Sequence, residues 1–151
     1  MGVGKTTVGR LLAERLRLPF LDLDEVIETR SGRSIVELFD AFGEADFRER
    51  EHEALGAVLS EKPVVLALGG GTLVSPRNRA LIGSHSELFV LWADFHVLKE
   101  RLGDVSECRP LWSDAEALFV ERRETLRSCG RLIDVNGCSA EEAARLIGQE
   151  L

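Results

Sequence analysis

Cysteine and histidine are scarce in this chain of 151 residues, with three of each. Cys108, Cys129 and Cys138 are odd in number and match no zinc-binding spacing, so free thiols in a reducing cytoplasm are expected. His52, His85 and His96 are scattered, and no metal-ligand spacing links them. Long apolar runs are missing too: none approaches a membrane span, and no secretory leader pattern precedes the first helix, so cytoplasmic localisation without a membrane partner is expected. An excess of positive charge is also absent. A formal net charge of −7 argues against a general nucleic-acid surface, although a local arginine cluster could still hold phosphate. There is no repeat, low-complexity tract or linker. The 44% hydrophobic and 30% charged content therefore describes one globular domain over 1–151, with enough chain for a proper core.

What is present is an alternation of short apolar runs with helical stretches. Thr6 to about Arg17 reads as a helix, with Val8, Leu11, Leu12 and Leu16 at helical spacing. Pro19–Asp24 reads as a strand ending in carboxylates. Residues 34–60 read as mostly helical, and Pro63–Leu68 as a strand stopped by Gly69-Gly70-Gly71. A short helix opens at Ser75 with Pro76 in its first turn. Leu88–Trp92 is a strand, Asp94–Leu102 a helix, 113–127 a helix and Leu132–Val135 a strand. A last helix starts at Ser139 with Glu142 at its third position. Unbroken apolar strands alternating with helices predict an α/β fold with a parallel sheet covered on both faces, in three α/β/α layers. Ligands bind such sheets at the C-terminal strand ends. The arginines Arg122, Arg123, Arg127 and Arg131 read mainly as a solvated helix face.

The opening residues Gly2-Val3-Gly4-Lys5-Thr6-Thr7 carry the end of a phosphate-binding loop, G-x-x-x-x-G-K-[ST]. Glycines let backbone N–H groups curl around phosphate oxygens, and the following helix adds its positive end. Lys5 would reach the β- and γ-phosphates, and the Thr6 hydroxyl would bind Mg²⁺. An ordinary glycine turn before a helix would read the same over this segment. Asp22 and Asp24, two apart on the expected strand, would point to one side and could hold Mg²⁺ or accept a proton from a substrate hydroxyl. Asp24 could instead cap the helix that follows. The triple glycine would let a substrate approach the backbone, or would simply be a flexible turn.

Taken in order, these motifs resemble the shikimate kinase family, from Met1 nearly to the end. The carriers are Met1-Gly2-Val3-Gly4-Lys5-Thr6-Thr7; Phe20, Asp22, Asp24, Ile27 and Glu28; Gly32, Ser34, Ile35, Phe39, Gly43, Glu44, Phe47, Arg48 and Glu51; the triple glycine; and Arg109-Pro110-Leu111. The resemblance implies a P-loop kinase fold and ATP-dependent phosphorylation of shikimate to shikimate 3-phosphate, in aromatic amino-acid biosynthesis. It implies that Gly2 to Thr7 bind ATP, with magnesium on Thr6 and Asp22. Asp24 would bind the attacking hydroxyl and orient or deprotonate it, and Arg48 would pair with the shikimate carboxylate. Gly69, Gly70 and Gly71 would contact substrate hydroxyls. Arg109, in a lid around 103–114, would stabilise the transferring phosphoryl group. Arg122, with Arg123 as its alternative, would be the second substrate arginine. Lys5, Asp24 and Arg109 would form the catalytic set, and a monomer is expected.

Two expectations concern departures from the family pattern. Its first, central strand and first loop glycine would lie upstream of Met1, which predicts a start assigned inside the motif and a sheet with exposed strand edges. Other readings remain: a non-catalytic or weakly active shikimate-binding module, or a gluconate-type or nucleoside monophosphate kinase.

Overall fold

The computed structural model describes residues 2–102 and 125–151. In chain order the elements are α1 (Lys5–Leu16), β1 (Phe20–Asp22), α2 (Leu23–Ser31), α3 (Ile35–Leu59), β2 (Val65–Ala67), a 3-10 turn (Thr72–Val74), α4 (Pro76–His85), β3 (Phe89–Trp92), α5 (Phe95–Leu102), β4 (Arg131–Asp134) and α6 (Ala140–Glu150). All strand pairing among the described residues is parallel. β1 pairs with β2, and β3 with β4, as two separate two-stranded sheets.

Local chemistry explains most boundaries. Ser34 with Glu37, and Ser139 with Glu142, form reciprocal capping boxes that start α3 and α6. Pro76 occupies the first turn of α4, where its missing N–H costs nothing. Gly32 ends α2 in the left-handed region at φ 66°. Gly43, at φ 77° and ψ 177°, breaks the helical path inside α3 and bends it.

The first carboxylate region differs from the sequence expectation. The strand ends at Asp22, and helix α2 begins at Leu23. Asp22 is the cap: its Oδ1 accepts the Asp24 backbone N–H at 3.2 Å. That bond turns the chain into a helix, so Asp24 sits in a first helical turn rather than on a strand end. Of the four arginines expected on a helix face, Arg131 lies instead in β4 and pairs with Glu87 and Glu150. Arg127 is helical and exposed, with its Cζ 5.2 Å from the Trp92 ring centroid; Arg122 and Arg123 lie outside the described residues.

Two apolar cores lie beneath the strands. One joins Val8 and Leu12 of α1 to Ala93, Ile133 and Val135, and to Ala143, Ala144 and Ile147 of α6. The other packs Leu23 and Ile27 of α2 against Leu38, Phe47 and Leu55 of α3, with Leu73 and Ile82. Leu23 and Leu55 have no solvent exposure, and each such side chain contributes about 1.5–3 kcal/mol by leaving water. This second core is the floor on which the polar residues after β1 and β2 stand.

Candidate active site

The register of the first strand pair assembles the site. Asp22 lies opposite Ala67 in a parallel ladder, so the chain leaving β1 with its acids and the chain leaving β2 with its glycines emerge side by side. Contact between them is close. A Cβ added to Gly69 would lie 2.8 Å from Asp24 Oδ1, and one on Gly71 would lie 2.7 Å from Arg48 Nη2. Neither glycine has a positive φ. These positions need glycine for space, because the Asp24 carboxylate and the Arg48 guanidinium occupy the room a side chain would take.

Gly4 caps α1 at φ 91° without any side-chain cap, so the helix presents its first-turn N–H groups unscreened by a side chain. Gly2 is also left-handed, at φ 73°. The exposed Thr6 hydroxyl donates to Asp22 Oδ2 at 3.1 Å, which joins the phosphate loop to the acid pair. Lys5 lies within electrostatic reach of Asp24 and favours its charged form. Burial outweighs this. Desolvation first, then repulsion from Asp22, Glu51 and Glu28, pushes the Asp24 carboxyl above the usual carboxylate range. A half-buried carboxylate with a raised proton affinity is suited to accept a proton.

Arg48 is held from two sides on α3. Its Nε and Nη2 donate to Glu44 Oε1 at 3.3 and 3.2 Å, and its Nη1 donates to Glu51 Oε2 at 3.1 Å. These contacts use three of the five guanidinium donors. Glu51 is only 1% exposed.

The structure therefore brings together Lys5, Thr6, Asp22, Asp24, Arg48 and the glycines from 69 to 71. Arg109, Arg122, Arg123 and the expected lid at 103–114 lie outside the described residues. Sequence reasoning missed Thr72 and Asn78, both buried beside Glu51, and a cavity of about 250 Å³ next to the phosphate loop. That cavity opens between Val3, Gly4 and Thr7 on one side and Val135, Ser139 and Ala143 on the other. The capping pattern at Ser139 was a legible signal for a helix start. Nothing local said that this start would face the loop at Gly4.

Comparisons with known proteins agree with this arrangement. A family model described as shikimate kinase matches residues 1–151. A shikimate kinase of Enterococcus faecalis is 39% identical over 158 residues, covering 100% of this chain and 94% of that protein. A shikimate kinase of Ruegeria pomeroyi is 43% identical over 128 residues, covering 85% of this chain and 63% of that protein. The solved structure of shikimate kinase from Acinetobacter baumannii in complex with shikimate superposes with a TM-score of 0.90 at 34% identity, covering 99% of this chain and 87% of the other. With its phosphate loop, acid pair and arginine gathered at the ends of β1 and β2, the chain belongs to the shikimate kinase family.

Proposed function

We propose that this chain catalyses the ATP-dependent phosphorylation of shikimate to shikimate 3-phosphate, within aromatic amino-acid biosynthesis. The observation that carries this reading is the approach of Asp24 and Arg48 to the same glycine segment, one at Gly69 and the other at Gly71. An acceptor bearing both a carboxylate and hydroxyls could span these two groups. Arg48 binds its carboxylate, and Asp24 takes the proton of the attacking hydroxyl.

The nucleotide tail lies on Gly2 to Thr7, with Lys5 against the β- and γ-phosphates. The base occupies the cavity between Val3 and Ser139. The attacking oxygen displaces ADP from the γ-phosphoryl group. Asp24 fixes that oxygen, and the charge near Lys5 supports the transfer. Arg109 adds positive charge at the same group, and Arg122 or Arg123 supplies a second contact to the acceptor.

Thr6 and Asp22 fit a magnesium ion. A hydroxyl and a carboxylate 3.1 Å apart, beside a phosphate loop, are hard oxygen donors of the kind this ion takes. When bound, the ion neutralises phosphate charge. Thr6 and Asp22 would hold it, leaving Asp24 for the acceptor. The soluble chain acts as a monomer in the cytoplasm.

The test is ADP release by the purified protein with a panel of acceptors. Turnover with shikimate and magnesium, and none with gluconate or nucleoside monophosphates, is expected. Shikimate binding without turnover would instead identify a ligand-binding module.

A further inference from the structure

Arg48, Glu51 and His52 stand at positions i, i+3 and i+4 of α3 and so share one face of the helix. That face meets two residues that belong to neither the phosphate loop nor the acid pair. Thr72, fully buried, opens the 3-10 turn after the triple glycine, and Asn78, 1% exposed, lies in the first turn of α4.

The contacts form a chain that ends on the guanidinium. Thr72 Oγ1 donates to Glu51 Oε1 at 2.8 Å. Asn78 Nδ2 donates to the Thr72 carbonyl at 3.1 Å and approaches Glu51 Oε2 at 3.5 Å. His52 Nδ1 lies 2.7 Å from Asn78 Oδ1. The amide oxygen can only accept, so the assigned network puts the proton on Nδ1 of the ring and fixes which way the amide faces. Glu51 then uses Oε2 on Arg48 Nη1 at 3.1 Å. No buried side-chain nitrogen or oxygen among the described residues lacks a partner.

A buried carboxylate is costly unless its oxygens are satisfied. A threonine and an asparagine on Glu51 therefore do more than fill space. They hold the acid in one rotamer, and the acid holds the guanidinium against the Gly71 backbone. Without the Thr72 hydroxyl, Oε1 is orphaned, and the carboxylate gains by turning both oxygens onto Arg48. That turn withdraws the guanidinium from an incoming carboxylate.

We propose that Thr72, Asn78 and His52 are positioning residues for acceptor binding: they set Glu51, and through it Arg48, so that the guanidinium is preorganised for the carboxylate of the acceptor. This rests on the assignment of Arg48 to that carboxylate. It concerns residues that touch no substrate themselves. The competing account is a brace between α3 and α4 that matters for stability alone.

The experiment measures shikimate and ATP kinetics, shikimate binding by calorimetry, and thermal unfolding, for the wild type, Thr72→Val, Thr72→Ser, His52→Ala and Arg48→Leu. Valine keeps the shape of threonine and removes the hydroxyl, whereas serine restores it. Thr72→Val is expected to raise the shikimate KM and Kd about tenfold, the scale of one hydrogen bond to a charged group, with the KM for ATP unchanged. Thr72→Ser should return both to within about twofold of wild type. His52→Ala, at a partly exposed position that keeps the chain folded should the valine variant fail, should weaken shikimate binding about threefold, since it frees the amide without orphaning Glu51. A drop in melting temperature without a selective change for shikimate, or a valine defect that serine does not rescue, overturns the proposal. If Arg48→Leu leaves shikimate binding unchanged, the carboxylate assignment falls and the positioning layer with it. If Arg48→Leu weakens binding while Thr72→Val and His52→Ala do not, only the positioning layer falls.

Discussion

Replacing Gly71 with alanine should separate binding from folding. The backbone at Gly71, φ −105° and ψ −9°, suits alanine, so the substitution adds no conformational strain. Its new Cβ would lie 2.7 Å from Nη2, 2.9 Å from Nη1 and 3.1 Å from Cζ of Arg48. An ordinary contact is near 3.5 Å, so the guanidinium must retreat by about 0.8 Å. It can do so at the cost of its present bonds, because the Arg48 side chain is 29% exposed and the crowded atoms are the far end of a long side chain. Retreat disturbs the 3.1 Å bond from Nη1 to Glu51 and moves the donors away from the acceptor carboxylate. A charge-assisted bond contributes about 1.5–3 kcal/mol. Losing roughly half of that raises the shikimate KM about three- to tenfold. The melting temperature should fall by less than about 3 °C, since each kcal/mol moves a domain of this size by only about 2–4 °C. Steady-state kinetics at saturating ATP, paired with a melting curve, reads both quantities. A shikimate KM within twofold of wild type would refute the placement of Arg48 against the glycine segment. So would a large loss of stability with unaltered kinetics.

Further perturbations probe the neighbouring groups. Asp24→Asn should lower kcat by about 10²–10⁴-fold while the KM for ATP stays nearly constant, because an amide cannot take the hydroxyl proton; full activity would remove Asp24 from its role. The same variant should melt higher than wild type at neutral pH. Burial holds the folded Asp24 pKa above its ordinary 3.8, so the stability lent by the protonated form is complete below that value and is lost as pH rises through the folded one. The asparagine advantage should therefore fade on acidification, and a pH series of melting curves checks this. Arg48→Leu should weaken shikimate binding by about ten- to a hundredfold and also lower stability, because Glu51 is left buried without its cation; an unchanged shikimate Kd by calorimetry would contradict it. Gly130→Ala should act on folding alone. Its Cβ would press on the Leu88 carbonyl, which accepts the Arg131 N–H at 2.8 Å and starts the β3–β4 ladder. A cost of about 1–3 kcal/mol is expected, visible as a lower melting temperature with an unaltered KM for shikimate.

Much of this arrangement could be read locally. Gly4-Lys5-Thr6 before an apolar-periodic helix announced the phosphate loop, because the glycine turn and the helix start are neighbours in sequence. Pro76, and Ser139 with Glu142, marked helix starts for the same reason; the equally local Ser34–Glu37 box at the start of α3 went unread. The carboxylate segment was misread in one respect. Alternation over Leu21 to Asp24 suggested a strand, yet the Asp22 side chain captured the Asp24 N–H and began a helix. A single side-chain bond outweighed the periodicity. Glu51 was visible as a motif position, but its burial was not, nor were Thr72 and Asn78 as its partners. Those residues lie 21 and 27 positions away and meet only once α3 packs against α4.

The sequence by itself determined which groups are available and which short segments turn, cap or extend, since those outcomes depend on atoms a few residues apart. Tertiary structure alone decided that Asp22 faces Ala67, so that acids and glycines leave their strands side by side, and that Glu51 is drawn from water to hold Arg48. Both require surfaces distant in the chain to exclude solvent together, and no local pattern specifies which surfaces those will be.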